Sequence, residues 1–379
     1  MLDTRQCTCT RGYDLFLFVE TAPRHRRMKW TLFPITQFEQ LASTWNALNE
    51  DAGGLPFLHS RFILPLCDAL GDGNLKIALC ESTQGPLAMG VLSRRGLVNW
   101  ETFQPSQLPV GAWVMRSEQD FERLLSTLAK SLPGVALAIG VTQQDPGCVR
   151  RPMESASLHT LDYIQTARVP VTGSFDGYWN LRGKNLRHNM KRQRAKLAQD
   201  GVAVRLEILT RAEEVAPAIE DYGRLESLGW KVAGGTAISS DNVQGRFYRS
   251  MLEAFCSAGK GRIYRYRFGE HVVAVDLCIE GGGALVILKT TYDESIKTIS
   301  PAFLMRQEAF RQLFDEGQIK RIEFYGRVME WHTKWSNDVR TMYHVTYYRW
   351  PFLPKIRRVA MKMRTRRDAP ESTRTPQAS

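Results

Sequence analysis

The stretch from Ala284 to Gly317 carries the plainest chemistry in the chain. Five apolar residues, Ala284 to Leu288, read as a buried strand that ends at Lys289 and Thr290. Further on, Ser300 is a favourable N-cap, and Pro301 suits the first position of a helix, where its missing N–H costs nothing. The amides of Ser300, Ala302, Phe303 and Leu304 then face the end of the strand at Leu288, Lys289 and Thr290. A helix start of this kind favours a phosphate through its donors and its partial positive charge, and Lys289 and Lys297 add full charges. The plainer alternative is a well-capped helix without a ligand.

Other groups could act beside that turn. Asp276 and Glu323 lie among apolar neighbours on strand-like runs, where burial raises a carboxyl toward the range of a working base. Salt-bridged strand carboxylates are the alternative. Tyr325 and Tyr292 are phenols near strand ends, suited to protonating a leaving group or, for Tyr292, to touching substrate. Trp230, Lys231 and Thr236 flank Gly234-Gly235 in a connection that could line a groove, with Lys231 reading an anionic group. His332 and Lys334, in a cluster with Glu330 and Trp331, could close the same cleft. No Ser/His/Asp set emerges from spacing. The seven cysteines contain no Cys-x-x-Cys pair, so no metal site is expected and the thiols read as buried and reduced.

These groups need a scaffold, and the chain offers one twice. Helical spacing (Phe38, Leu41, Trp45, Leu48) precedes three strand-like runs, 75–80, 87–92 and 97–103, with an irregular stretch at 56–72. A helix opened by a Ser117/Asp120 capping box follows, then strands 135–141 and 158–171. After a basic helix (184–199) and a strand (204–209), the same order returns. Helices 211–227 and 242–257 lead to a meander (262–268, 272–279, 284–290), a helix from Ser300-Pro301 to Gly317, and strands 321–325 and 343–350. The fold class is therefore α+β: tandem lobes, each a mostly antiparallel twisted sheet flanked by helices. The boundaries read as an extension at 1–27, an N-terminal lobe at 28–172, a C-terminal lobe at 180–350 and a basic tail at 351–379. The extension lacks lasting periodicity and Met28 opens the patterned region, so translation is expected to start there; N-terminal mass spectrometry of the native protein checks this.

Five blocks carry a family resemblance: LRGKNLRHNMKRQRAKLAQDG (181–201), LESLGWKVAGGTAI (225–238), FYRSML (247–252), LKTTYDESIKTISPAFLM (288–305) and IEFYGRVMEWHTKW (322–335). Together they resemble the Fem-like, cellulose-biosynthesis-associated branch of the GNAT acyl-CoA acyltransferases, over residues 180–335. The first half is similar only to the degenerate partner domain of such proteins. The resemblance implies an acyltransferase using acetyl-CoA or another acyl-CoA as co-substrate, with no permanently bound cofactor. The acceptor would be an amine on a sugar, lipid or peptide precursor, in envelope or exopolysaccharide biosynthesis. It makes Asp276, Glu323 and Tyr325 the catalytic candidates, and places the donor at Leu288, Lys289, Thr290, Ser300, Ala302, Phe303 and Leu304. Trp230, Lys231, Thr236, Tyr292, His332 and Lys334 would meet the acceptor. One departure stands out: Ser300-Pro301-Ala302 replaces the superfamily's glycine-containing pyrophosphate loop.

Net charge, +12, is concentrated. Residues 182–196 carry +7, residues 355–379 carry +6 and residues 1–27 carry +2, leaving −3 elsewhere. A generic nucleic-acid-binding body is excluded, and nucleic acid is not an expected partner. The segment 355–367 mixes seven cations with apolar residues and is expected to give weak, salt-sensitive contact with anionic lipid. Vesicle co-sedimentation unchanged by deleting 355–379 would assign that contact elsewhere. The expected location is the cytoplasm, at the inner membrane face where the tail engages. Two other functions fit the pattern: an aminoacyl-transfer-RNA-dependent Fem-type ligase using the basic helix, and a non-catalytic membrane-surface adaptor.

Overall fold

Alternation and helical spacing build the same series of elements twice. In the computed structural model, which describes residues 28–227, 238–239 and 242–356, the first series is β1 (Lys29–Pro34), α1 (Phe38–Asp51), α2 (Ser60–Leu70), β2 (Lys76–Ser82), β3 (Gly85–Arg95), β4 (Asn99–Thr102), β5 (Trp113–Met115), α3 (Phe121–Ser131), β6 (Ala138–Gln144) and β7 (Leu158–Pro170). Two helices, α4 (Phe175–Asn180) and α5 (Lys184–Gln199), lead to the second series. It comprises β8 (Val204–Leu209), α6 (Val215–Ser227), α7 (Val243–Ser257), β9 (Gly261–Phe268), β10 (His271–Gly281), β11 (Ala284–Tyr292), α8 (Pro301–Glu316), β12 (Arg321–Glu323), α9 (Glu330–Thr333) and β13 (Asp338–Tyr348). The tandem α+β architecture is as the pattern implied.

Several local expectations are corrected. The stretch 56–72 is not irregular: it holds α2, which carries Pro65 inside it and buries Phe62, Ile63 and Leu66. An internal proline reads as a breaker, yet tertiary burial of the apolar stripe outweighs the lost hydrogen bond. Asp120, not Ser117, caps α3, accepting from the amides of Glu122 and Arg123. Strands β1 and β5 are short and went unmarked. Strand β12 stops at Glu323, two residues early, and β13 begins at Asp338, five residues before the expected start.

Among the described residues the two lobes share one sheet of thirteen strands, ordered β1-β2-β3-β4-β6-β13-β7-β12-β11-β10-β9-β8, with β5 on β3. Near the middle the lobes exchange strands. The last strand of the first series, β7, pairs with β12, and the last of the second, β13, pairs with β6. The two exchanged strands pair with each other from Asp338↔Arg168 to Tyr347↔Leu158. The helix pairs α1/α2 and α6/α7 pack together over one face, in a core that contains Trp45, Phe62, Phe247 and Val286. The other face is covered by α8 over Leu285 and Ile287, and by α3 over Ile139 and Val141.

Because β12 finds its outer neighbour only in β7, the second lobe lacks a sheet strand without the first. A fragment starting at residue 173 should therefore show no cooperative urea transition by tryptophan fluorescence. Co-expression with residues 28–172 should restore it.

Candidate active site

The parallel β11–β12 ladder is brief. It joins Ala284, Leu285 and Val286 to Arg321, Ile322 and Glu323, and then stops. Beyond it, β12's chain turns to β7: the Phe324 amide donates to the Ala167 carbonyl and the Val328 amide to that of Gln165. Strand β11 runs on, and Leu288 has no opposite residue on β10, because Lys289 faces Leu277 while Ile287 faces Cys278. A bulge leaves its extra residue unpaired and bends the strand. The two strands part beyond that ladder, and Leu288, Lys289 and Thr290, all three half-buried, line the resulting gap with no partner strand on that side among the described residues.

The first lobe has the matching ladder, Asn99–Glu101 with Ala138–Gly140, but there the gap is closed. The chain after β4 folds into it. The Gly111 amide donates to the Thr142 carbonyl at 2.9 Å and the Ala112 amide to that of Phe103 at 3.1 Å. The Thr102 and Thr142 hydroxyls meet at 2.7 Å. Glycine is required at 111, since a Cβ would lie 2.4 Å from the Thr102 hydroxyl and 2.5 Å from the Thr142 carbonyl. Only the second lobe keeps an open gap of these two.

The start of α8 differs from the expected cradle. The Ser300 side chain makes no cap hydrogen bond. Its amide donates to Gln193 Oε1 at 3.0 Å, and the amides of Phe303 and Leu304 donate to its carbonyl. Pro301 has no N–H, which leaves Ala302 to supply the first turn's remaining amide. Lys289 is also not beside this turn. Its Nζ lies 4.0 Å from Glu226 Oε1 and 5.5 Å from the centre of the Tyr248 ring, on the α6–α7 face of the sheet.

Asp276 and Glu323 are buried, as expected, but both are held in ion pairs. Asp276 faces Arg306 Nη2 at 3.2 Å, and the same nitrogen donates to Thr290 Oγ1 at 2.9 Å. That guanidinium lies 4.9 Å from the Trp331 ring centre. Glu323 meets Arg321 Nε at 3.1 Å and Arg340 Nη1 at 2.9 Å, the latter off hydrogen-bond alignment. Burial raises the Glu323 carboxyl above its ordinary range, against the pull of Arg340.

Arg340 also grips Asp145 through Nε (2.8 Å) and Nη2 (2.6 Å), and the Tyr325 hydroxyl donates to the same carboxylate at 2.6 Å. Burial alone would raise Asp145, but these donors outweigh it and hold the carboxyl below the usual value. Burial pushes the Tyr325 phenol well above its ordinary value, and the residue takes a left-handed backbone, φ 50°. Tyr325 therefore points into the seam between the lobes rather than to the gap.

His332 is buried, stacks on Trp331 at 3.6 Å and accepts from the Met329 amide through Nδ1. Lys334 pairs with Glu330 at the surface, and Tyr292 is exposed at the end of β11. Trp230, Lys231 and Thr236 lie outside the described residues.

One residue escaped the sequence reading. Glu226, at the end of α6, is only 3% exposed and accepts from the Ile238 amide at 2.7 Å. The Tyr222 hydroxyl lies against it and donates to the Thr290 carbonyl at 3.3 Å. The signal was present: Val215, Ile219, Tyr222 and Glu226 fall on one helical stripe, so a carboxylate sits where an apolar residue belongs. Among the described residues no group of three or more His, Cys, Asp or Glu side chains could hold a metal ion, and no helix is long and apolar enough to cross a membrane.

Residues 184–333 match the family model described as an acetyltransferase (GNAT) domain. The second lobe is a GNAT acyltransferase domain. The fold of the two lobes together recurs in solved structures. The crystal structure of FemX superposes with a TM-score of 0.52 at 9% identity, covering 84% of this chain and 97% of that one. A conserved protein of unknown function from Bacteroides thetaiotaomicron gives 0.50 at 8% identity, covering 85% and 100%. None of the curated proteins compared with the chain matches it.

The GNAT lobe's histidine makes a pH prediction. Burial, aided by Arg306, lowers His332 to about 4, and burial with Arg61 lowers His59 to about 4. The unfolded chain takes up these protons near 6.5 while the folded one does not, so stability falls as pH drops from 6.5 toward 4. Each histidine contributes at most on the order of 3 kcal/mol to that loss. Urea midpoints between pH 7 and 4.5 should fall less steeply in His59→Gln/His332→Gln than in the native protein.

Proposed function

We propose that this enzyme transfers a short acyl group, acetyl in the simplest case, from an acyl-CoA thioester to an amine on a sugar, lipid or peptide precursor. One observation carries the reading: the β11–β12 gap is open beside a bulged strand, while its counterpart in the first lobe is stitched shut. A pantetheine arm is an extended chain with two amides, and it can add to the free edge of β11 as a peptide adds to a sheet. Its thioester then lies near Leu288 and Lys289, where backbone donors and the Lys289 ammonium favour the oxyanion of the tetrahedral intermediate.

The acceptor approaches from the α6–α7 side. Its nitrogen attacks the thioester carbon, the C–S bond breaks and CoA departs as a thiolate. Glu226 takes the ammonium proton in this reading, because it and its ion-pair partner Lys289 stand on the acceptor's side of β11. His332, Lys334 and Tyr292 would border the site. A CoA donor places the reaction in the cytoplasm.

Isothermal titration tests the reading. Micromolar binding of acetyl-CoA and of free CoA is expected. No heat from either would remove the thioester donor and favour the aminoacyl-transfer-RNA ligase.

A further inference from the structure

Helix α5 carries six Lys and Arg and no acid over 184–199. Two of its cations are ion-paired within the protein, Arg194 with Glu308 at 2.5 Å and Lys196 with Asp200 at 3.1 Å. Met190 and Leu197 face the core. The helix is fixed against the first turns of α8: Gln193 Oε1 accepts the Ser300 amide, and Arg194 Nη2 donates to the Leu304 carbonyl at 3.3 Å.

This docking decides which cations stand near the donor gap. Residues three and four apart share a helix face, so Asn189, Arg192, Gln193 and Lys196 form one flank, and Gln193 pins that flank beside Ser300. Asn189, Arg192 and Lys196 are exposed on it, and exposed Lys297 lies three residues before Ser300. Lys184 and Lys191 point roughly the opposite way round the helix. Nearby acids leave the flank positive. Asp200 is the partner of Lys196, Asp293 accepts from the Ser295 amide and hydroxyl, and Glu294 is half-buried. The amides of Ser300, Phe303 and Leu304 at the α8 turn are already occupied, so a polyphosphate reaching this end of the gap must be met mainly by side chains.

We infer that Arg192, Lys196 and Lys297 bind the phosphate groups at the nucleotide end of CoA, in place of the missing glycine loop. The inference rests on the acyl-CoA reading above. Arginine suits this role through its forked donors, and the two lysines add mobile point charges.

Titrations with CoA and with S-acetylpantetheine, which lacks the nucleotide and its phosphates, test it. The native protein should bind CoA at least tenfold more tightly than S-acetylpantetheine, with a margin that shrinks as salt rises. Arg192→Gln/Lys297→Gln should lose most of that margin and keep its affinity for S-acetylpantetheine. Lys184→Gln/Lys191→Gln removes the same charge from the far side of α5 and should change CoA affinity less than about twofold. Equal losses in the two double variants would overturn the inference in favour of a diffuse field. Equal native affinity for both ligands would overturn it while leaving the thioester donor standing. Binding of neither would remove the donor reading and this inference together. Loss of transfer-RNA retention in Arg192→Gln/Lys297→Gln, with CoA affinity intact, would also overturn it.

Discussion

Arg340→Met should destabilise the protein by about 3–5 kcal/mol, read as a shift of the urea midpoint at pH 7. The guanidinium stands between two carboxylates, Asp145 of the first lobe and Glu323 of the second, each almost fully buried. Its removal leaves both without their main counter-charge where water cannot replace it, the situation in which a broken buried pair costs most. The pair itself need not stabilise much, because drawing three charged groups from water offsets their attraction. Asp145→Asn/Glu323→Gln/Arg340→Met should accordingly recover most of the lost stability. A triple variant no more stable than Arg340→Met would show that the damage comes from lost packing, not from stranded charge.

Glu226→Gln should reduce turnover of acetyl-CoA about 10²–10⁴-fold, the range expected for loss of a general base. The readout is free thiol released in the presence of an amine that supports turnover by the native enzyme. Affinity for CoA should stay within about twofold, because the proposed mechanism puts this residue on the acceptor's side of β11. Glu226→Asp should keep part of the activity. Asp276→Asn provides the contrast: it strands the buried Arg306 charge, so stability and activity should fall together. Parallel loss of CoA affinity and turnover in Glu226→Gln would make that residue structural, a holder of the Ile238 amide and of Lys289.

Much of the scaffold was legible because it depends on local pattern. Helix α5 has the expected bounds, Lys184–Gln199, because its sparse apolar seam and lack of breakers leave no other choice. The meander β9–β10–β11 was marked by its glycine turns. Helix α2 was hidden by Pro65, whose local preference is overruled by the burial of Phe62, Ile63 and Leu66. The site was legible less completely. Burial of Asp276 and Glu323 followed from their apolar neighbours, but their ion partners did not. Arg306 is 30 residues from Asp276, and Asp145 joins Tyr325 across 180 residues.

The residues alone thus determined the repeated order of elements, the buried strand that ends at Lys289 and the concentration of charge on α5, all consequences of spacing along one segment. Which of the two strand gaps is left unpaired, which lobe each end strand joins, and which carboxylate lies beside Lys289 were decided only in three dimensions. Those outcomes depend on pairing between distant segments: Gly111 against Thr142, β7 against β12, Arg340 against Asp145. Such pairing is settled by which polar groups find partners once the sheet closes, and no periodicity in the chain records it.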